Sequence, residues 1–241
     1  MSSTTTALPA PIVTTPKTLI RALHPSDALE NVRLGNDDGI ARWMRNTFPS
    51  PYTLAHAESY ITKVALVDSR PAVVTVPWPV EVLSSSAAPP SVSPSAETGG
   101  KEETEAPTKP ILLKYALCHR PPPSSSTSST SITESAPLIG GIGLKRLVDV
   151  EQRTMELGYW IGREHWGKGY TTEATAAFVR WAFDTFPDLN RIEASVFEGN
   201  PASERVLVKA GFALEGVRRK AIWKHGVLLD QRMYGLLRGD V

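Results

Sequence analysis

Between residues 162 and 170 the chain reads Gly162-Arg-Glu-His-Trp-Gly167-Lys-Gly169-Tyr170. It falls between a stretch patterned as a strand and one patterned as a helix. Small residues at such a junction let the backbone turn tightly, so several N–H groups can converge on one anion where the helix macrodipole adds its attraction. A pyrophosphate fits that description, and Lys168 would add positive charge unless solvent claims it. Two other phosphate loops are excluded. No glycine-rich loop ends in Gly-Lys-Ser or Gly-Lys-Thr, and Thr172 stands where a Gly-x-Gly-x-x-Gly dinucleotide turn needs its third glycine. Further on, Asn200, Pro201 and Ser203 read as a helix start, with Asn as cap and Pro at the first helical position.

The elements that must position these residues are legible around them. The second half predicts strands over 138–146 and 154–162, a helix over 171–186, a strand over 190–197, a helix over 201–210, and strands over 211–217 and 227–237. In the first helix Ala174, Ala177, Phe178, Trp181 and Ala182 recur at the spacing of one buried face, and Pro187 ends it. Ile192, Ala194 and Val196 alternate with Arg191, Glu193 and Ser195, the pattern of a strand with one face in the core. Gly211 closes the second helix. Upstream, Leu19–His24 predicts a strand. Helices are expected from Asp27, as N-cap, to about Phe48, and from about Leu54 to Val67, with Pro49-Ser50-Pro51 between them.

Composition bounds the partners. Twenty-six basic and 25 acidic residues leave a net charge of +1, which supplies no long-range field for nucleic acid or an anionic membrane. The single cysteine, Cys118, cannot form an internal disulfide, no Cys/His cluster has zinc spacing, and no run reaches 18 apolar residues. A cytoplasmic protein with nuclear access open is expected. Residues 1–16 read as a disordered leader without the basic and apolar regions of a secretory signal, followed by one domain over 17–241. Ser/Pro-rich insertions at about 84–108 and 120–136 are too polar to repay the entropy of ordering. Between them Ile111–His119 reads as one strand. Residues 71–83 hold β-formers that Pro77 and Pro79 confine to an edge.

The run from Glu156 through Gly162 and Gly169 to Ala174, followed by Asn200-Pro-Ala-Ser203 and on to Gly211-Phe212, resembles the GNAT superfamily of N-acetyltransferases. It is most similar to the Rim-type branch that acetylates N-terminal alanines of ribosomal proteins. The likeness covers about residues 17–70 and 109–241. It implies an α+β GNAT fold: a mixed, mostly antiparallel central sheet whose strands splay at the acetyl-CoA site, with flanking helices. Acetyl-CoA is then the cosubstrate, its pantetheine paired with backbone at Trp160, Ile161 and Gly162, and its pyrophosphate wrapped by Trp166, Gly167, Lys168, Gly169, Tyr170 and Thr171. Family members commonly carry Gln or Arg where this chain has Glu164, which removes one side-chain donor.

Acetyl transfer needs a neutral amine, donors for the tetrahedral oxyanion and an acid for the departing thiolate. The resemblance implies an oxyanion contact from an N–H near Ile161, Glu156 as general base acting through water, Ser203 as proton donor, and Asn200 as a residue orienting cofactor or substrate. Each has a plainer role available: Glu156 as a salt-bridged strand residue, and Asn200 and Ser203 as helix-start residues. Tyr234 is an alternative acid or a core aromatic. Glu173 suits the helix dipole, His165 a surface near phosphate, and His225 a hairpin turn. Arg218, Arg219 and Lys220 form a solvated basic run beside the expected cleft, where Trp223 either walls the acceptor pocket or packs. The expected acceptor is a protein N-terminal α-amine; a small-molecule amine, or CoA binding without turnover, are the alternatives. Oligomeric state is not legible.

Overall fold

A computed structural model describes residues 7–65, 112–120 and 136–241. Its centre is an eight-stranded sheet in the order β1-β2-β3-β4-β5-β6-β8-β7. The strands are β1 (Pro11–Thr14), β2 (Thr18–Ala22), β3 (Leu112–His119), β4 (Leu138–Arg146), β5 (Thr154–Ile161), β6 (Arg191–Phe197), β7 (Ala213–Lys224) and β8 (Val227–Leu237). Every neighbouring pair is antiparallel except β5 with β6. The mixed, mostly antiparallel sheet is the one expected. Helices α1 (Ala28–Gly35), α2 (Asp38–Ala41), α3 (Leu54–Ser59), α4 (Tyr170–Thr185) and α5 (Pro201–Lys209) flank it.

Alternation along the strands divides the interior into two layers. Met155 and Leu157 of β5, Ile192, Ala194 and Val196 of β6, and Leu113, Tyr115 and Leu117 of β3 pack with Ala174, Phe178, Val179, Ala182 and Phe183 of α4. The opposite face carries Ala116, Cys118 and Leu138, packed with Leu34, Tyr52, Ala57 and Ile61, and Trp160 joins this layer. Burial pushes the Cys118 thiol up to about 12.

Several sequence expectations need correction. Pro11–Thr14 pair with β2, and Val13 is buried in the α4 layer, so the disordered leader does not extend over these residues; residues 1–6 lie outside the described ones. The helix expected over 27–48 is broken, because Asn36 and Asp37 leave helical geometry and the Asp37 side chain caps α2 through Gly39 N–H. Asp27 caps nothing. Its carboxylate is held by the buried Arg21 guanidinium at 2.7 and 2.8 Å and accepts the His24 N–H, a stronger claim than a helix N–H could make. The second helix continues past α3 as a π-helical stretch, Tyr60–Ala65. β7 runs beyond the expected 217 to Lys224, across register shifts between Arg218 and Ile222 where Lys220 adopts positive φ. The expectations for 71–83 and 84–108 lie outside the described residues, as does that for 121–135. Arg120 and Ala136, at the edges of the second insertion, belong to the packed structure: Arg120 donates to Lys17 and Thr15 carbonyls, and Ala136 is buried.

Candidate acetyl-CoA and acceptor site

The parallel pairing of β5 with β6 covers only Thr154, Met155 and Glu156 against Arg191, Ile192 and Glu193. Beyond Glu156 the two strands part, while β5 stays paired with β4 up to Ile161 and β6 with β8 up to Phe197. A fork opens between them. The Gly162 N–H turns towards β4, bonding Ile139 O at 2.9 Å, so by strand alternation the N–H of Ile161 faces the fork, as does that of Tyr159. These are donors that a ligand lying along β5 can use as a further strand would.

At the upper end of the fork the glycine turn takes the predicted form. Gly167 and Gly169 have φ of +74° and +80°, a left-handed geometry that side chains disfavour. Gly162 is buried, and a Cβ there would meet Leu34 at 2.6 Å. Gly169 is the N-cap of α4 with no side-chain cap. Among the described residues the N–H groups of Tyr170, Thr171 and Thr172 have no acceptor, so the start of a 16-residue helix presents open donors. Lys168 is exposed beside it, and the Lys17 ammonium comes within 3.9 Å of where a Gly169 Cβ would lie. Trp166 is half-exposed, its indole donating to Ile161 O at 2.9 Å, which ties the turn back to β5.

Two ion pairs clamp this turn to the first helices. Glu164 accepts from Arg33 at 2.9 and 3.1 Å, and Asp37 accepts from Arg163 at 2.5 and 2.7 Å; both carboxyls are held below the usual range by these guanidinium hydrogen bonds. Glu164 is therefore a tether to α1. His165 is half-buried against the Tyr170 ring, and burial lowers its pKa, so it is not the surface histidine expected. Glu173 accepts the Lys17 N–H at 2.9 Å from the first turn of α4.

Glu156 stands where the fork begins, on the α1–α3 face of β5, with Arg45 on one carboxylate oxygen and Lys145 at 4.0 Å from the other. Across the register lies Glu193, whose carboxyl burial pushes up, with a further upward push from Glu156. The alternating pattern of β6 marked Glu193 as off-core without revealing this neighbour. On the same face as Glu156, Gly158 carries no side chain, and a Cβ there would meet nothing within 4 Å. The segment after α2 spans this face: Arg45 reaches Glu156, Phe48 packs edge-on to Trp160 at 6.0 Å, and Met44 O and Asn46 accept from the Lys224 ammonium of β7 at 2.8 and 3.1 Å. An open recess with a glycine floor results.

Ser203 lies on the other face. Its N–H donates to the Asn200 side chain at 3.2 Å, and its hydroxyl is 2.9 Å from the phenol of Tyr159, a residue that sequence reasoning did not single out. The alternating pattern of β5 could have found it, because Tyr159 is the polar-tipped side chain on the α4 face of the unpaired segment. Tyr234 is buried, and its phenol donates to Glu204 at 3.2 Å. Lys220 pairs with Asp230 within the hairpin and with Glu198 just after β6, His225 occupies the turn at φ of +48°, and Trp223 is 63% exposed, packing in neither core layer.

Among the described residues no group of three or more His, Cys, Asp or Glu could hold a metal ion, and no helix is long and apolar enough to cross a membrane. Residues 97–213 match the family model of the acetyltransferase (GNAT) domain. The uncharacterized N-acetyltransferase YoaA of Bacillus subtilis is 39% identical over 101 residues, 42% of this chain and 56% of that protein, so the match spans little more than half the relative's length. Among solved structures, RimL, the ribosomal L7/L12 α-N-protein acetyltransferase in complex with coenzyme A, superposes with a TM-score of 0.63 at 13% identity, covering 95% of this chain and 98% of that one. Spermidine N-acetyltransferase from Vibrio cholerae in complex with CoA and spermine gives 0.60 at 17% identity over 94% and 98%. At such identities the likeness is one of fold.

Proposed function

This chain carries a GNAT acetyltransferase domain, and on that premise we propose that it transfers the acetyl group of acetyl-CoA to a primary amine, foremost a protein N-terminal α-amine, by direct attack in a ternary complex. The observation that carries the reading is the β5–β6 fork, which opens at Glu156 and leads to the uncapped start of α4. The fork-facing N–H groups of β5 pair with pantetheine, and the turn over 166–171 receives the pyrophosphate on its free N–H groups and Lys168.

Strand alternation gives the two catalytic candidates opposite faces. Glu156 looks into the glycine-floored recess, where the acceptor enters, and Ser203 lies across the strand on the α4 side. Glu156 takes the amine's proton through water as nitrogen bonds to the thioester carbon. A fork-facing N–H, that of Ile161 foremost, stabilises the oxyanion. When the carbon–sulfur bond breaks, Ser203 protonates the leaving thiolate, and solvent carries the proton held by Glu156 back to the Ser203 oxygen. The products are an amide and free CoA.

The α-amine has physical support. Deprotonating an amine of pKa about 7.8 at neutral pH costs about 1 kcal/mol, against roughly 4.6 for a lysine at about 10.4. A site with one proposed base, Glu156, suits the less basic amine. Arg45 and Lys145 also set positive charge around Glu156, which opposes a polycation such as the spermine bound by the Vibrio relative.

Thermal unfolding with excess acetyl-CoA tests the cofactor, and mass spectrometry of a panel of N-terminal peptides and polyamines tests the acceptor. A ligand at a hundred times its Kd stabilises by about 2.7 kcal/mol, so a clear rise in Tm and acetylated peptide α-amines are expected. A folded protein that shows no shift would overturn the assignment. A shift without turnover on any amine would leave a CoA-binding module.

A further inference from the structure

We propose that Tyr159 is a positioning residue for Ser203: its phenol donates to the serine hydroxyl oxygen and so leaves the serine's own proton free to be given into the fork. The inference rests on the proposed acetyl transfer. A serine hydroxyl rotates freely and can donate in any staggered direction, so an acid built on serine needs something to aim it. The backbone of Ser203 is fixed by Asn200, which takes its N–H at 3.2 Å and leaves the side chain undirected. The Tyr159 phenol supplies the missing contact, 2.9 Å from Ser203 Oγ and 3.2 Å from Ser203 O.

Either hydroxyl can be the donor between the two oxygens; the phenol proton is directed at Ser203, whose carbonyl oxygen accepts it at 3.2 Å, and a three-centre bond shared with Oγ is the arrangement proposed. Burial raises the Tyr159 phenol to about 12, so it keeps its proton throughout the pH range in which amines are acetylated. When that proton is given to Ser203 Oγ, one lone pair is occupied and the serine proton must point elsewhere. Tyr159 lies in the segment of β5 that has left β6, and its side chain crosses to the first turn of α5 on the α4 side. The serine is thereby held at the fork, beside the strand along which pantetheine is proposed to run. Tyr234, the other nearby phenol, donates to Glu204 and has no bond to Ser203.

The test is a double-mutant cycle of Tyr159→Phe and Ser203→Ala, read as kcat for acetyl transfer, Kd for acetyl-CoA and Tm. Tyr159→Phe keeps the ring and its packing. It is expected to lower kcat roughly ten- to hundredfold, with acetyl-CoA affinity within about twofold and no further loss when it is combined with Ser203→Ala, as for groups that act as a unit. A purely structural strut would lower Tm and affinity and would multiply with Ser203→Ala. That result overturns the proposal, as does full activity of Tyr159→Phe where Ser203→Ala is impaired. Should Ser203→Ala itself retain wild-type kcat, the serine assignment falls and this inference with it; a wild type that acetylates no amine removes both. If Tyr159→Phe does not fold, Ser203→Thr serves instead: its hydroxyl can accept the same bond, so kcat well above that of Ser203→Ala is expected, and equality of the two overturns the inference.

Discussion

Glu156, the proposed base, and Glu193, its neighbour across the register, differ in what surrounds them. Arg45 and Lys145 attend the first, while burial dominates the second. A base that works through water contributes about 10²- to 10⁴-fold. Glu156→Gln is therefore expected to lower kcat by that order with acetyl-CoA affinity unchanged, measured by steady-state kinetics and calorimetry. Glu193→Gln is the control for the neighbouring carboxylate. If the loss follows Glu193 and spares Glu156, the base is assigned to the wrong side of the register pair.

At the scale of elements, the departure of β5 from β6 does what no single side chain could. It leaves backbone donors of one strand facing the fork, and alternation puts Glu156 and Gly158 on one face of that strand and Tyr159 on the other. Gly158 offers a direct probe. Its absent Cβ would project into open space on the Glu156 face, so Gly158→Leu is expected to leave Tm within a few degrees, because a strand position gains a better β-former. The new side chain would fill the recess, raising KM for the peptide acceptor severalfold or more while acetyl-CoA still binds. Loss of acetyl-CoA binding with an intact fold would show that cofactor, and not acceptor, occupies this face.

For the whole molecule, the ion pairs Arg33–Glu164 and Asp37–Arg163 join the glycine turn to α1 and α2. Both carboxyls are held below their ordinary values of about 4.3 and 3.9. The unfolded chain therefore binds more protons than the folded one in the acid range, and stability rises with pH there. The contribution is fully present above the ordinary values and is lost as pH falls through the depressed ones. These pairs are exposed and screened. A modest fall in Tm below about pH 4.5 is expected, made shallower in Asp37→Asn and by high salt. An Asp37→Asn profile that superposes on the wild type would remove Asp37 from the clamp.

Much of this arrangement is written locally. The period of α4, the alternation of β4, β5 and β6, the Asn200-Pro201 helix start and the left-handed glycines at 167 and 169 all depend on residues a few positions apart, so the strand–turn–helix frame of the cofactor turn is legible in the amino-acid order itself. What pairs across the chain is not. Asp27 reads as a cap until Arg21 is folded beside it; Glu164 reads as a missing donor until Arg33 arrives from 131 residues away; and Tyr159 reads as one aromatic in a strand until α5 brings Ser203 to its phenol. Sequence determined the backbone turn because φ preference and hydrophobic period act through neighbours. Tertiary structure decided the partners of each charge and hydroxyl, because such a bond depends on where distant segments meet.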